Sequence, residues 1–269
     1  MLPTPLLFML RFQSILIGIA TCAAVSAYSQ PIKVNAIDWC PQLCANSDKP
    51  GYVMDTVHRV FAGSHYEVQA KTYPWTRAIL GVYNGKSHAL LSPAKNEAPQ
   101  LLYPKYAIGI QRMCFFTAAQ SDWEYQGLKS LKGLKIGIAY DTSIAELNDY
   151  VSTNKEQFEF IPYNHEFIER NLNMLSHRRL DTFLFTYNST IFTLKQLGLD
   201  TEYREAGCVS SEPIFMAFSP NPEQSEEINE LIRFFEQRMH ELSESGEIEL
   251  IMESYGLEDW QPFIPQNKH

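Results

Sequence analysis

The feature that most constrains the fold is an alternation of short apolar segments with segments of helical periodicity near the start of the chain. Runs at 32–37, 66–70 and 89–91 have the length and pattern of strands, while 51–61 and 74–83 keep apolar residues at helical spacing. The order strand, helix, strand, helix, strand implies a parallel sheet with helices on its faces. Such open sheets bind ligands in a crevice at the carboxyl ends of their strands.

The same alternation returns after a long apolar run at 106–118. It predicts strands at 135–139, 158–162 and 181–186, and helices at 143–151, 166–176 and 191–197. A returning strand at 213–219 and amphipathic helices at 226–242 and 243–255 follow. We therefore expect an α/β protein of two lobes.

The first 27 residues have the pattern of a secretory signal peptide. Arg11 precedes the apolar run 15–20, and the small residues at 25–27 form a cleavage pattern. The run is too short to span a bilayer, which needs about 20 apolar helical residues. We therefore expect a periplasmic protein exported through this segment. Lipidation at Cys22 is the alternative.

Composition and motifs exclude several partners and cofactors. The formal net charge of −9 disfavours binding to nucleic acid. The seven histidines show no metal-ligand spacing, and no phosphate-binding loop or hydrolase motif is present. We expect a monomer with no cofactor, no metal and no catalytic residue.

Four of the five cysteines lie after the expected cleavage site, at Cys40, Cys44, Cys114 and Cys208. In an oxidising compartment an even count permits pairing. Cys40 and Cys44 would close a small ring after the first strand and stiffen the loop that carries Trp39, so we expect a disulfide there. Cys114 and Cys208 either form a second pair or stay as two buried thiols, and the sequence does not decide between these states.

The stretch 73–99 brings several candidate binding groups to one place. A proline in the first helical turn puts Trp75 and Arg77 at the start of the second helix, and Ser92 and Lys95 follow the third strand. A tryptophan face suits a planar, cationic or sugar-like ligand. The alternatives are a core position for Trp75 and a surface ion pair for Arg77.

Polar residues also follow the strands of the second unit. Asp141, Thr142 and Ser143 join a strand to a helix, where the two hydroxyls would lie beside free backbone amides. Ordinary helix capping also accounts for these hydroxyls, and Asp141 disfavours a strongly anionic ligand group. Thr186 and Tyr187 end the last strand of this unit and are predicted to face the same cleft.

Several short motifs occur in a fixed order over most of the chain after the first thirty residues. They are W at 39, GYVMD at 51–55, PWTRA at 74–78, G-x-x-x-A at 85–89, LKGLKIGIA at 131–139 and LDTF at 180–183. In this order and spacing they resemble the type II periplasmic solute-binding proteins, and more narrowly the extracellular solute-binding family 3 of amino-acid ABC transporters. The resemblance implies that two crossover strands join the lobes, with residues 28–111 and 215–269 in lobe 1 and 112–214 in lobe 2. It also implies a small-molecule ligand between the lobes and an ABC permease as partner.

The resemblance also indicates what the site lacks. Amino-acid binders of this family hold the α-carboxylate with an arginine after the third strand and the α-ammonium with an aspartate that ends a strand of lobe 2. Here these positions fall near Gln100 and on Thr186. Each lost charge-assisted hydrogen bond is worth about 1.5 to 3 kcal/mol, so a standard α-amino acid is an unfavourable ligand. Lys95 or Arg77 could replace the clamp, and Glu97 is an available anion.

We therefore expect an exported solute-binding protein that captures a small polar solute for an ABC transporter. One alternative is a ligand-sensing partner of a membrane receptor. The other is a dehydratase-like enzyme on the same fold, with Glu97 or Asp141 as general acid.

Overall fold

The structure is a computed structural model. It describes residues 29–45, 47–140, 145–164 and 166–264. The expected signal peptide with Cys22 and the candidate site residues Asp141, Thr142 and Ser143 lie outside the described residues. Within the described ranges, no helix combines the length and the apolar character needed to cross a membrane.

Strands and helices alternate along most of the chain, as the periodicity predicts. In chain order they are β1 (Gln30–Ala36), α1 (Tyr52–Phe61), β2 (Tyr66–Thr72), α2 (Trp75–Tyr83), β3 (Ala89–Leu91), β4 (Gly109–Ala118), β5 (Ile136–Ala139), α3 (Ala145–Thr153), β6 (Phe158–Ile161), α4 (Phe167–Ser176), β7 (Thr182–Thr186), α5 (Tyr187–Leu197), β8 (Tyr203–Ile214), β9 (Met216–Phe218), α6 (Ser225–Glu244) and α7 (Glu247–Ser254).

The first sheet has four strands in the order β2-β1-β3-β9. β1 is parallel to β2 and β3, and β9 is antiparallel to β3. Ile32 and Val34 of β1 point into the core, where the helical spacing of α1 places Val57. α6 packs on the same core through Leu231 and Phe235. Burial of one apolar face per element holds this unit together.

The second sheet has five strands in the order β6-β5-β7-β4-β8. β5 is parallel to β6 and β7, whereas β4 is antiparallel to β7 and β8. β4 follows the first three strands of the first sheet along the chain, and β8 leads back to β9. The expected architecture of two α/β lobes joined by two crossovers is therefore confirmed. We call the units around the two sheets lobe 1 and lobe 2, and the residue boundaries given above stay a prediction.

Two elements differ from the sequence prediction. The sequence predicts β8 only from residue 213 onward, but the strand begins at Tyr203. Its first part shows no apolar run because β8 lies at the sheet edge and most of its residues are half-exposed. α5 was predicted from 191 but begins at Tyr187. Its first turn buries Asn188 and Ser189, which are held by hydrogen bonds, so apolar periodicity does not mark it.

Both possible disulfides are present. The predicted Cys40–Cys44 bond is confirmed and closes the loop after β1. Cys114 and Cys208, which the sequence left undecided, are also bonded. They face each other in the β4–β8 pairing, so this second disulfide joins two neighbouring strands of the second sheet.

Candidate ligand-binding cleft

In the first sheet, the chain runs from β1 to β2 on one side and then crosses to β3 on the other side of β1. The topological switch point therefore lies between β1 and β3. The loop after β1 carries Trp39, which directly precedes the disulfide ring and whose backbone amide donates to the carbonyl of Leu43 in that ring at 2.7 Å. Ser92 follows β3 directly. Its φ of 68° is unusual for a residue with a side chain, and its amide donates to the carbonyl of Phe215 at 2.9 Å. Both residues therefore lie at the end of the sheet where ligands bind.

The second sheet has an equivalent switch point between β5 and β7. Tyr140 follows β5 and is 55% exposed. Thr186 is the last residue of β7, where it pairs with Met113 of β4. This end of the sheet therefore carries the solvent-exposed side chain of Tyr140 and the buried hydroxyl of Thr186.

Hydrogen bonds between the lobes show that these two ends face each other. Ser189, in the first turn of α5, donates from Oγ to the carbonyl oxygen of Cys40 at 2.9 Å. Asn188 donates from Nδ2 to the hydroxyl of Tyr52 at 3.1 Å. The amino end of a lobe 2 helix is thus held against the disulfide ring and α1 of lobe 1.

Tyr163, which follows β6, borders the same recess from lobe 2. Its side chain is 52% exposed, yet desolvation by surrounding protein and then the charge of Asp38 raise its pKa to about 12. Asp38 lies in the loop after β1, on lobe 1. The charge of a lobe 1 loop thus reaches a residue that follows a lobe 2 strand, and the two inter-lobe hydrogen bonds bring the carboxyl ends of both sheets together. We call the region between these ends the cleft.

Three buried polar atoms at the switch points have no hydrogen-bond partner among the described residues. They are Nε1 of Trp39, Oγ of Ser92 and Oγ1 of Thr186. Ser92 and Thr186 are only 1% and 2% exposed. A buried polar group left unpaired costs about 1 to 3 kcal/mol, so each such group needs an explanation, such as a ligand or water that completes its bonding.

Trp75 and Arg77 lie in the first turn of α2, as predicted, but in different surroundings. Trp75 is half-buried and packs against the apolar cluster between α2 and β3 that includes Leu90. Arg77 is exposed, and its guanidinium carbon lies 5.4 Å from the centre of the Tyr73 ring. It lines a surface groove of about 570 Å³ together with Lys86. Trp75 is thus partly a core residue, and Arg77 stacks on an aromatic ring of its own chain.

Lys95 lies in the turn after Ser92. Its Nζ is 5.0 Å from the ring centre of Phe215 and 5.9 Å from that of Tyr103. Because Phe215 also binds the amide of Ser92 through its carbonyl, Lys95 brings a positive charge to the lobe 1 switch point.

Glu97 is the neighbouring acid. Its Oε2 accepts the amide of Ala94 at 2.8 Å. Part of the Glu97 side chain touches solvent, yet the pKa of its carboxyl is raised. Desolvation by surrounding protein is the largest cause, the hydrogen bond from Ala94 acts against it, and the charge of Glu212 adds to it. Glu97 is therefore already engaged in holding the turn after β3.

Comparison with solved structures identifies the fold. A structure from Streptococcus mutans, solved for glutathione import via GshT and the cystine ABC importer TcyBC, has a TM-score of 0.65 at 17% identity, over 86% of this chain and 97% of that chain. The probable amino-acid ABC transporter extracellular-binding protein of Bacillus subtilis has a TM-score of 0.63 at 18% identity, over 84% and 97%. A histidine kinase sensor domain with similarity to periplasmic binding proteins has a TM-score of 0.60 at 16% identity, over 86% and 99%.

This chain has the type II periplasmic-binding-protein fold. No family model matches the sequence, and no curated protein matches it either. The likeness therefore confirms the predicted fold class. In this binding-protein fold, the cleft between the lobes is the place where a ligand bound to both lobes would drive hinge closure.

Arg112 is a residue of this region that the sequence prediction missed. It lies on β4, and its guanidinium carbon is 3.7 Å from the ring centre of Tyr187 and 4.4 Å from that of Phe263. Its Nη2 is 4.0 Å from the carboxylate of Glu258. Arg112 therefore ties a crossover strand to α5 and to the C-terminal segment, and it covers one face of Tyr187. Its signal in the sequence is a single charge within the apolar run 106–118.

Two other features of the described residues lie away from the cleft. A cavity of about 780 Å³ lies at the amino ends of β5 and β7, with Asp181 and Tyr203 in its lining. Cys114, Glu205 and Cys208 bring potential metal-ligand atoms within 4.8 Å of one another. The disulfide occupies both sulfurs of that group, so it does not offer thiolates to a metal.

Proposed function

We propose that this protein is an exported solute-binding protein that captures a small polar solute between its two lobes for an ABC transporter. The observation that carries this proposal is the unpaired Trp39, Ser92 and Thr186 atoms at both topological switch points. A solute that touches both lobes supplies the missing bonds in the closed arrangement only. It therefore shifts the protein from an open to a closed form.

The similar structures support this class of function. Two of them carry the names of transport proteins, one an importer system and the other an extracellular binding protein. The proposed periplasmic location and ABC permease partner follow from those names together with the signal-peptide pattern of residues 1–27. Identities of 17% and 18% do not transfer the solute.

Trp75 provides the apolar floor of the proposed site. It begins α2 beside the carboxyl ends of the first sheet, and it is only half-buried, so a face of the indole is open for stacking. Lys95 and Ser92 lie in the turn after β3, the next strand along the chain. A solute on this floor would meet polar groups of both lobes.

A thermal-shift screen tests the proposal. Amino acids, small peptides, sugars, polyamines and carboxylic acids are screened on the wild type and on Trp75→Ala. The stabilising solute is expected to lose about tenfold or more in affinity for Trp75→Ala, because stacking and burial of an aromatic face are worth more than about 1 kcal/mol. Tyr83→Ala, 47% exposed at the far end of the same helix, is the control and should bind as the wild type does.

Small-angle scattering tests the closure. Saturation with the stabilising solute should reduce the radius of gyration. An unchanged radius at saturation contradicts closure, and a screen in which no class of compound stabilises the protein contradicts solute binding itself.

A further inference from the structure

The unpaired groups at the two switch points favour a ligand that accepts hydrogen bonds. The indole N–H of Trp39 can only donate, and the hydroxyls of Ser92 and Thr186 donate as readily as they accept. All three atoms are enclosed by protein and have no partner in the part of the chain that the structure describes. A ligand that pairs the indole must present an oxygen or nitrogen acceptor, and both hydroxyls can donate to further acceptors of the same ligand.

The amino end of α5 adds donors beside Thr186. This helix begins at the next residue and runs for 11 residues. The Thr186 side chain does not cap it, and the backbone amides of Tyr187, Asn188 and Ser189 have no acceptor outside the helix among the described residues. The positive end of the helix dipole therefore lies next to the unpaired Thr186 hydroxyl, and such an end favours an anion over a cation.

Positive charge also lies on the lobe 1 side and behind α5. Lys95 is beside Ser92, as described above. Arg112 stacks on the Tyr187 ring. Its positive charge partly cancels the negative charges of Glu258 and Glu205 near that ring. Among the described residues, no carboxylate therefore binds the amides of α5 and neutralises its amino end. Asp141, whose charge would disfavour an anionic group, lies outside them.

Two acids at the lobe 1 switch point each hold a backbone amide of their own loop. Glu97 accepts the amide of Ala94 at 2.8 Å, and Asp38 accepts the amide of Ala45 at 2.9 Å through Oδ1. An ammonium group beside Thr186, on the lobe 2 side, would meet the positive end of α5. A buried charge without an opposite partner is strongly unfavourable.

We propose that Thr186 and the first amides of α5 form a carboxylate-binding subsite, and that the solute is an organic acid without an α-ammonium group. This inference rests on the proposed solute-binding function and names its ligand class. The carboxylate oxygens accept from the Thr186 hydroxyl and from the α5 amides, while the remainder of the acid reaches Ser92 and Trp39 in lobe 1.

Pairs of acids that differ only in the α-amino group test this on the unmodified chain. Suitable pairs are succinate and L-aspartate, glutarate and L-glutamate, and propionate and L-alanine. We expect an amino-free acid to raise the melting temperature and to bind about tenfold to hundredfold more tightly than its amino partner, because the ammonium group of the amino acid would be buried without an acceptor. Equal or tighter binding of the amino acid overturns the inference and leaves the solute-binding function standing.

Variants locate the subsite. Thr186→Asp places a carboxylate at the amino end of α5 and should weaken binding of the acid at least about tenfold, whereas Thr186→Ser keeps the hydroxyl and should lose less. If Thr186→Asp does not fold, Ser92→Ala on the opposite lobe should still weaken binding, and the wild-type pairs decide the ligand class. Unchanged affinity in a folded Thr186→Asp rejects the subsite. Stabilisation by sugars or polyamines alone rejects the acid class, and stabilisation by nothing rejects solute binding as well.

Discussion

Removal of the Cys114–Cys208 disulfide should lower the free energy of unfolding much more than removal of Cys40–Cys44. The first bond joins residues 94 positions apart, and the second joins residues 4 positions apart. In the chain-entropy model, a bridge that closes about 95 residues stabilises by about 4.7 kcal/mol, and one that closes about 5 residues stabilises by about 2 kcal/mol. The expected difference between the two losses is therefore about 2.6 kcal/mol.

The assay is urea unfolding of Cys114→Ala/Cys208→Ala and of Cys40→Ala/Cys44→Ala without reductant, followed by tryptophan fluorescence. Cys114 is 0% exposed, so its replacement also removes packing in the second sheet. Urea unfolding of Cys40→Ala/Cys44→Ala with and without reductant isolates the Cys114–Cys208 bond from packing, because all side chains other than the bonded sulfurs stay the same. Equal losses in the two double variants, or a larger loss for the small ring, would refute the loop-closure reasoning.

Three further predictions concern stability. Burial lowers the pKa of His88, whose Nδ1 accepts the amide of Lys33 at 2.8 Å. On acidification His88 is protonated in the unfolded state before it is protonated in the folded state, so its contribution to the free energy of unfolding is full above about pH 6.5 and decreases as the pH falls below that value. Below about pH 6.5 the urea midpoint of the wild type should therefore fall, and it should fall more than that of His88→Asn. Gly51→Ala should lose about 2 kcal/mol or more, since φ is 102° and a Cβ would lie 2.3 Å from a backbone oxygen; Gly63→Ala, with open space around it, should lose less. Arg112→Met should lose about 1 to 2 kcal/mol through its two aromatic contacts, and an unchanged melting temperature would contradict this.

The two sheets are predictable because most of their elements bury an apolar face of regular period. β1 and α1 show this directly: the same residues that set the period, such as Val34 and Val57, form the core. β8 escapes prediction because it lies at the edge of its sheet and buries few side chains completely. That miss has a consequence for the cysteines, since Cys114 and Cys208 meet only through the β4–β8 pairing.

The candidate site is predictable only in part. Ser92 and Thr186 follow from their positions at strand ends, and the structure leaves both hydroxyls unpaired in the described part of the chain. The different surroundings of Trp75 and Arg77 depend on which face of α2 meets β3, which spacing within one helical turn does not specify. Arg112 is hidden because its partners come from α5 and from the C-terminal segment, which are distant in sequence.

The residue that ends β7 determines which charge of a ligand group the amino end of α5 favours, and it does so without changing the fold. An aspartate at this position, as in the resembled amino-acid binders, can accept the first amides of the following helix and present its remaining oxygen to an ammonium group. Thr186 does neither: its side chain leaves the amides of α5 uncapped, so the helix end keeps its positive character. One side chain thus changes the preferred ligand group from a cation to an anion, while the apolar periodicity that builds β7 and α5 is unaffected. For this reason a shared fold does not fix the solute, and the Thr186 variants address it more directly than further comparison of structures.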